Sequence, residues 1–255
     1  MEILEHFDKL TQNGFIIYRL KDAEWQNFLN KLPTDFRVSY IIDSELKVLA
    51  GKNGLSKSEF LEKFILPDDG KIKSGDFGEM LSYFAVIENF DKKRIILNGP
   101  RKWRWKDRNK AALYSDSVLF HISDPKKYSK KDLLITVESK MKAEKSKKHR
   151  IQEAIDGAVV DKLSRLSKTL IWLEEKYAKL GKPKQRMLVE RFKDPATYGS
   201  FLTRHKAIAI LDKNFEIDEL SKTIKNNHGI TVIVFSINEL KEAYEQTRAN
   251  IIKSC

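Results

Sequence analysis

Residues 132–140 (DLLITVESK) form an apolar run that ends on a carboxylate and an amine two positions apart. Side chains alternate faces along a strand, so Glu138 and Lys140 share a face with Leu134 and Thr136, while Leu133, Ile135 and Val137 share the other. Asp116 stands 22 residues earlier, at the start of a second apolar run, residues 116–122 (DSVLFHI). If the two runs are neighbours in one sheet, Asp116 approaches Glu138. Two carboxylates held close repel unless a cation lies between them, and Mg²⁺ (or Mn²⁺) takes such oxygen ligands while keeping several waters. A cation there polarises a phosphoryl oxygen and lowers the pKa of a bound water. Lys140 is placed to orient that water, and the Ser139 carbonyl to add a metal ligand. Together these groups suffice to hydrolyse a phosphodiester.

Spacing by itself is weak evidence for that chemistry. Glu-x-Lys occurs four times: Glu45/Lys47, Glu138/Lys140, Glu174/Lys176 and Glu239/Lys241. The last two fall on expected helices, where residues two apart do not share a face. Glu45 sits at an expected hairpin turn. Only Glu138/Lys140 ends a buried-looking strand with an acidic residue upstream. Its plain alternative is a surface ion pair on an edge strand. Glu79 is a further candidate. A helix over 74–89, opened by Ser74, puts Phe77, Leu81 and Phe84 on one stripe and Glu79 on the side of Tyr83 and Val86. Apolar residues on two sides imply packing on two sides, which turns Glu79 toward a cleft.

The elements that must position these groups are readable as periodicities. Residues 14–20 and 93–98 read as strands, 23–32 as a short helix, and 38–51 as two β-rich runs joined in a hairpin at Asp43-Ser44. Ser56 opens a helix to about residue 64, with Glu59 placed for a capping box. From 143 to 180 the pattern is helical, with Ile151, Ile155, Val159, Leu163, Leu166, Leu170 and Leu173 recurring every three or four residues. Strands are expected at 206–211 and 230–237, and helices at 216–226 and 238–252. That order favours a parallel or mixed sheet. The expected division is an N-terminal α+β portion over 1–70, a core over 71–184, and a C-terminal βαβα extension over 185–255 packed on it.

The net charge of +12 is unevenly placed. Residues 1–90 carry 11 Lys/Arg against 15 Asp/Glu, residues 91–150 carry 19 against 7, and the remainder 18 against 14. The middle stretch alone accounts for an excess equal to the whole. Such a block fits a polyanion, because each neutralised phosphate releases condensed counterions. The plain alternative is a solvated lysine-rich face. Residues 99–110 (GPRKWRWKDRNK) read as an exposed loop in which Arg101, Lys102 and Arg104 can meet phosphates and the tryptophans can stack on unpaired bases. Lys142 and Lys145, following the proposed site, can track a DNA backbone. The lone cysteine, Cys255, excludes a disulfide framework and a cysteine-based zinc site, and the five scattered histidines show no ligand spacing. No Gly-rich phosphate loop is present, which argues against ATP hydrolysis by this chain. Residues 1–10 lack the basic start and apolar run of a signal peptide, and no stretch approaches a membrane span, so a cytoplasmic protein is expected.

The order is a helix bearing Glu79, a strand, a strand starting at Asp116, a strand ending in Glu138-Ser139-Lys140, and a long helix. It resembles the core of PD-(D/E)xK nucleases. The segment from Ser74-Gly75-Asp76-Phe77-Gly78-Glu79 through Val137-Glu138-Ser139-Lys140 resembles, more closely, the HamA family, nuclease subunits of Hachiman antiphage defence systems. One departure is Ser115, where the superfamily motif has proline. The resemblance implies an α/β restriction-endonuclease-like core and Mg²⁺-dependent cleavage of DNA. It implies a metal site of Asp116, Glu138, Ser139 and Glu79, with Lys140 catalytic, and a superfamily 2 helicase partner (HamB-like) that restrains the nuclease. Two other readings stay open: a non-catalytic nucleic-acid-binding adaptor with a decayed site, and an RNA-cutting toxin of the same fold.

Overall fold

The computed structural model describes residues 2–89, 96–224 and 229–255. The chain opens with β1 (Phe7–Gln12) and β2 (Phe15–Leu20), an antiparallel hairpin whose turn residues Asn13 and Gly14 both have positive φ, 52° and 84°. An Asn-Gly pair adopts that geometry readily and matches the twist of the flanking strands. Helices α1 (Trp25–Tyr40) and α2 (Asp43–Lys52) follow. They replace the hairpin expected over 38–51, and α1 runs well past residue 32. The reason is burial. Phe28, Leu29, Leu32 and Phe36 form a helical stripe in the core, and Leu46 and Ala50 extend the burial into α2. Tertiary packing outweighs the β propensity of the Val-Ser-Tyr-Ile-Ile run.

Next come α3 (Lys57–Phe60), which Ser56 and Glu59 open with the expected capping box, and α4 (Gly70–Glu88). Helix α4 starts a turn earlier than expected. The Asp69 carboxylate caps it by accepting from the amides of Lys71 and Ile72 at 2.8 and 3.1 Å, and Ser74 lies inside the helix. Strands β3 (Ser117–His121) and β4 (Leu133–Lys142) follow, then α5 (Arg150–Val160), α6 (Leu166–Lys179), α7 (Pro183–Glu190) and α8 (Pro195–Tyr198). The chain ends with β5 (Leu202–Asp212), α9 (Glu216–Lys222), β6 (Thr231–Ile237) and α10 (Leu240–Lys253). Residues 93–95 of the strand expected at 93–98 lie outside the described residues. Asn98 forms an antiparallel bridge to Phe120.

Among the described residues, six strands make one mixed sheet in the order β1-β2-β6-β5-β4-β3. Its centre, β2-β6-β5-β4, is parallel, and the outer pairs β1/β2 and β3/β4 are antiparallel. The segments 1–70, 71–184 and 185–255 each supply strands to it. Parallel strands need both faces covered, which explains the apolar runs 207–211 in β5 and 232–235 in β6. On one face Ile135, Val137, Ile208, Ile210 and Phe235 pack against α1, α4 and α10. On the other, Ala207, Ala209 and Val234 meet Ile151, Ala154, Ile155 and Ala158 of α5, and Val118 and Leu134 meet Leu170 and Leu173 of α6. Among the described residues no helix is long and apolar enough to cross a membrane.

Candidate active site

Antiparallel pairing of β3 with β4 sets Ser117 opposite Val137, so Asp116, one step before β3, arrives beside Glu138. The Asp116 carboxylate accepts a hydrogen bond from the Ser139 amide at 2.8 Å. Strand alternation then sorts the three residues of the β4 motif. Ser139 turns to α4, where its hydroxyl meets that of Ser82 at 3.0 Å. Glu138, only 3% exposed, turns to α5, where an added Cβ on Gly157 would lie 2.5 Å from its carboxyl carbon. Lys140 Nζ donates to Glu138 Oε1 at 2.5 Å and to the Ser139 carbonyl at 3.3 Å.

The carboxylates are held by a larger set of groups than the sequence disclosed. Arg165 donates to Glu138 Oε2 and to the Gly157 carbonyl, both at 2.8 Å, and its Nε lies 3.1 Å from Asp161. The Ser115 hydroxyl donates to Asp161 Oδ1 at 2.8 Å, while Asp161 Oδ2 is buried without a hydrogen-bond partner. Asp161 and Arg165 bound a π-helical turn between α5 and α6, and such turns recur at functional sites. Glu79 reaches the site from α4, its Oε2 accepting from Trp103 Nε1 at 2.9 Å. Asp76, 2% exposed, ties α4 to its surroundings by accepting from the Tyr40 hydroxyl and Lys106 Nζ, both at 2.8 Å.

Electrostatics follow from burial and like charge. Burial, with Glu138 adding, pushes the Asp116 carboxyl up to about 7. Burial, then Asp116 and Asp76, hold the Glu79 carboxyl well above the usual carboxylate range. Burial raises Asp161 to about 6. Burial pulls the Lys140 ammonium down, but Asp116 and Glu138 outweigh it and leave its pKa raised. Mutually opposed carboxyls beside a lysine are a donor set for a divalent cation. Among the described residues, however, no group of three or more His, Cys, Asp or Glu side chains is gathered as a ready-made metal cage. Asp116 and Glu138 meet across the β3/β4 pairing, and Glu79, held by Trp103, lies near enough to Asp116 for that charge to raise its carboxyl.

The basic residues expected to contact nucleic acid divide sharply. The loop expected to be exposed is instead partly buried, with Lys102 and Trp103 2% and 3% exposed. Lys102 Nζ donates to the carbonyls of Leu113 and Ser115, and burial lowers its pKa. Lys142 is also buried, paired with Glu219 at 2.7 Å. Arg101 is half-buried over the Phe84 ring, and exposed Arg104 donates to the Val38 carbonyl. Lys145 is exposed. Because Lys102 fixes the backbone leading into Asp116, Lys102→Met is expected to lower stability by about 1.5–3 kcal/mol. Denaturant unfolding measures this, and an unchanged midpoint refutes the anchoring role.

The family model for HamA matches residues 2–251 of the chain. The chain belongs to the HamA family. HamA membership carries a role in antiphage defence, within the Hachiman system and its partner proteins. No curated protein matches the chain. The HamA match spans β1 to β6, so it covers Asp116, Glu138, Lys140 and the groups around them.

Proposed function

We propose that this HamA chain is a Mg²⁺-dependent deoxyribonuclease with a PD-(D/E)xK core, Mn²⁺ serving in place of Mg²⁺, restrained by a superfamily 2 helicase partner. The observation that carries the reading is the register of β3 on β4, which brings the Asp116 carboxylate onto the Ser139 amide beside the Glu138–Lys140 pair. Asp116, Glu138 and the Ser139 carbonyl would hold the ion, with Glu79 completing the acidic set. The bound ion would supply Lewis acidity toward a phosphoryl oxygen and an acidified water. Lys140 orients that water and offsets phosphate charge. Arg165 holds Glu138 Oε2 against α5, leaving Oε1 on the side of Lys140. Exposed Lys145 and Arg104 lie in the basic 91–150 stretch that would follow the DNA backbone. A free DNase endangers its own host, which is why restraint by a helicase belongs to the reading.

The non-catalytic adaptor draws on one specific observation: each carboxylate oxygen of Glu138 already has a cationic partner. The deciding experiment assays wild type and the Glu138→Ala/Lys140→Ala double variant with Mg²⁺ on DNA and on RNA, with and without the helicase partner. Cleavage of DNA by wild type, lost in the variant while DNA binding persists, is the expected result. Equal cleavage by the variant removes this site. Cleavage of RNA alone replaces the DNase with a ribonuclease. Absence of any wild-type cleavage with the partner present leaves the adaptor.

A further inference from the structure

We propose that Tyr114, together with the rings of Trp172, Trp105 and Tyr177, forms a stacking platform for the unpaired bases of single-stranded DNA at the edge of the acidic site. The proposal deepens the nuclease reading, on which it rests for the adjacent scissile bond. Tyr114 has φ 63°, the left-handed region that a tyrosine rarely enters. It is held there because Lys102 Nζ, buried beneath, donates to the carbonyls on both sides of it, those of Leu113 and Ser115. The conformation brings no return in burial, since Tyr114 is 40% exposed and Leu113 56%. A strained, exposed aromatic two residues before Asp116 contributes little to folding, and strain that folding does not use points to function.

The rings continue from Tyr114 as a chain of tilted and edge-to-face contacts, so their faces are differently oriented. Tyr114 and Trp172 have centroids 6.3 Å apart, Trp172 and Trp105 5.9 Å, and Trp105 and Tyr177 5.6 Å. The last three are only partly buried against the α6 cluster. Lys176 Nζ lies 5.7 Å from the Trp105 ring centre and sets a cation beside the rings, while Lys102 Nζ, buried 5.4 Å from the Trp172 ring centre, supports them from beneath. At its far end Tyr177 lines a groove of about 390 Å³ with Phe120, Ile122 and Leu188. Aromatic faces interleaved with cations suit a polyanion whose bases are free to stack. A duplex hides its base faces within its own stack, so the platform selects single strands.

The test measures binding by the full chain to a labelled oligo(dT) and to a labelled blunt duplex, by fluorescence anisotropy in EDTA. Tyr114→Gly removes the ring and relaxes the backbone, so folding is not at risk. It is expected to weaken oligo(dT) binding about 5- to 100-fold, with duplex binding unchanged and Tyr114→Phe within about twofold of wild type. Equal loss on both DNAs, no loss on oligo(dT), or no oligo(dT) binding by wild type overturns the proposal. Because no divalent ion is present and nothing is cleaved, this result is independent of whether the nuclease reading stands.

Discussion

Alanine at Gly157 is expected to reduce DNA cleavage about hundredfold while changing the stability of the fold by no more than about 1 kcal/mol. Gly157 lies within α5, where an alanine is intrinsically favoured by about 1 kcal/mol over glycine. Its new methyl group would stand 2.5 Å from the Glu138 carboxyl carbon and from Oε1, closer than atoms pack, so one of the two must move. The backbone of α5 is fixed by Ala154, Ile155 and Ala158 in the core, whereas Glu138 ends in a flexible carboxylate. The carboxylate therefore shifts, straining its contacts with Lys140 and Arg165 and offsetting the gain in helix propensity. A displacement near 1 Å at a reacting centre costs about two orders of magnitude in rate. Thermal melts paired with a cleavage assay on the same preparation decide the matter. Near-normal cleavage means that the position of Glu138 does not limit the reaction. A collapsed melting temperature means that Gly157 serves the fold instead of the site.

The contrast between Glu138 and Arg165 shows what a linear pattern can disclose. Strand alternation is dictated by the backbone, so Glu138 and Lys140 could be assigned one face without knowing the sheet, and two successive apolar runs supplied the Asp116 pairing. The 143–180 stretch, by contrast, reads as a single helical stripe that includes Leu163. In the structure the π turn over Asp161–Arg165 adds a residue to the helical repeat, leaving Leu163 76% exposed and turning Asp161 fully inward. Periodicity assumes an unbroken 3.6-residue turn and cannot register that insertion. Lys102 and Lys142 were opaque for another reason. Charge composition marks a basic stretch, but whether a lysine is solvated or buried depends on partners far along the chain, such as Glu219 for Lys142. The β1/β2 hairpin is the opposite case: Asn13-Gly14 is a strong local turn signal, and only the weak alternation of hydropathy along Phe7–Gln12 hides its first strand.

On the nuclease reading, Asp116→Asn is expected to lower cleavage by roughly 10³-fold or more, and yet to make the metal-free chain more stable above neutral pH. The sign follows from proton linkage. Burial and Glu138 raise the Asp116 carboxyl to about 7 in the folded chain, whereas in the unfolded chain it titrates near its ordinary value of about 4. Between those values the native state retains a proton that the unfolded state has released, so stability falls as pH rises through that window and the full penalty is present above about pH 7. Asparagine escapes that penalty, and its amide oxygen still accepts from the Ser139 N–H. The variant should match wild type near pH 4 and exceed it by about 2–4 kcal/mol at pH 8, read from denaturant melts in EDTA. Adding Mg²⁺ at pH 8 should then narrow the gap from the wild-type side, because a cation between Asp116 and Glu138 relieves the repulsion that asparagine removes chemically. Equal stability at both pH values, or a variant weaker at pH 8, would mean that Lys140 and Lys102 already neutralise Asp116. The acidic pair would then have no unmet demand for a cation, and the strongest physical reason for placing one there would be gone.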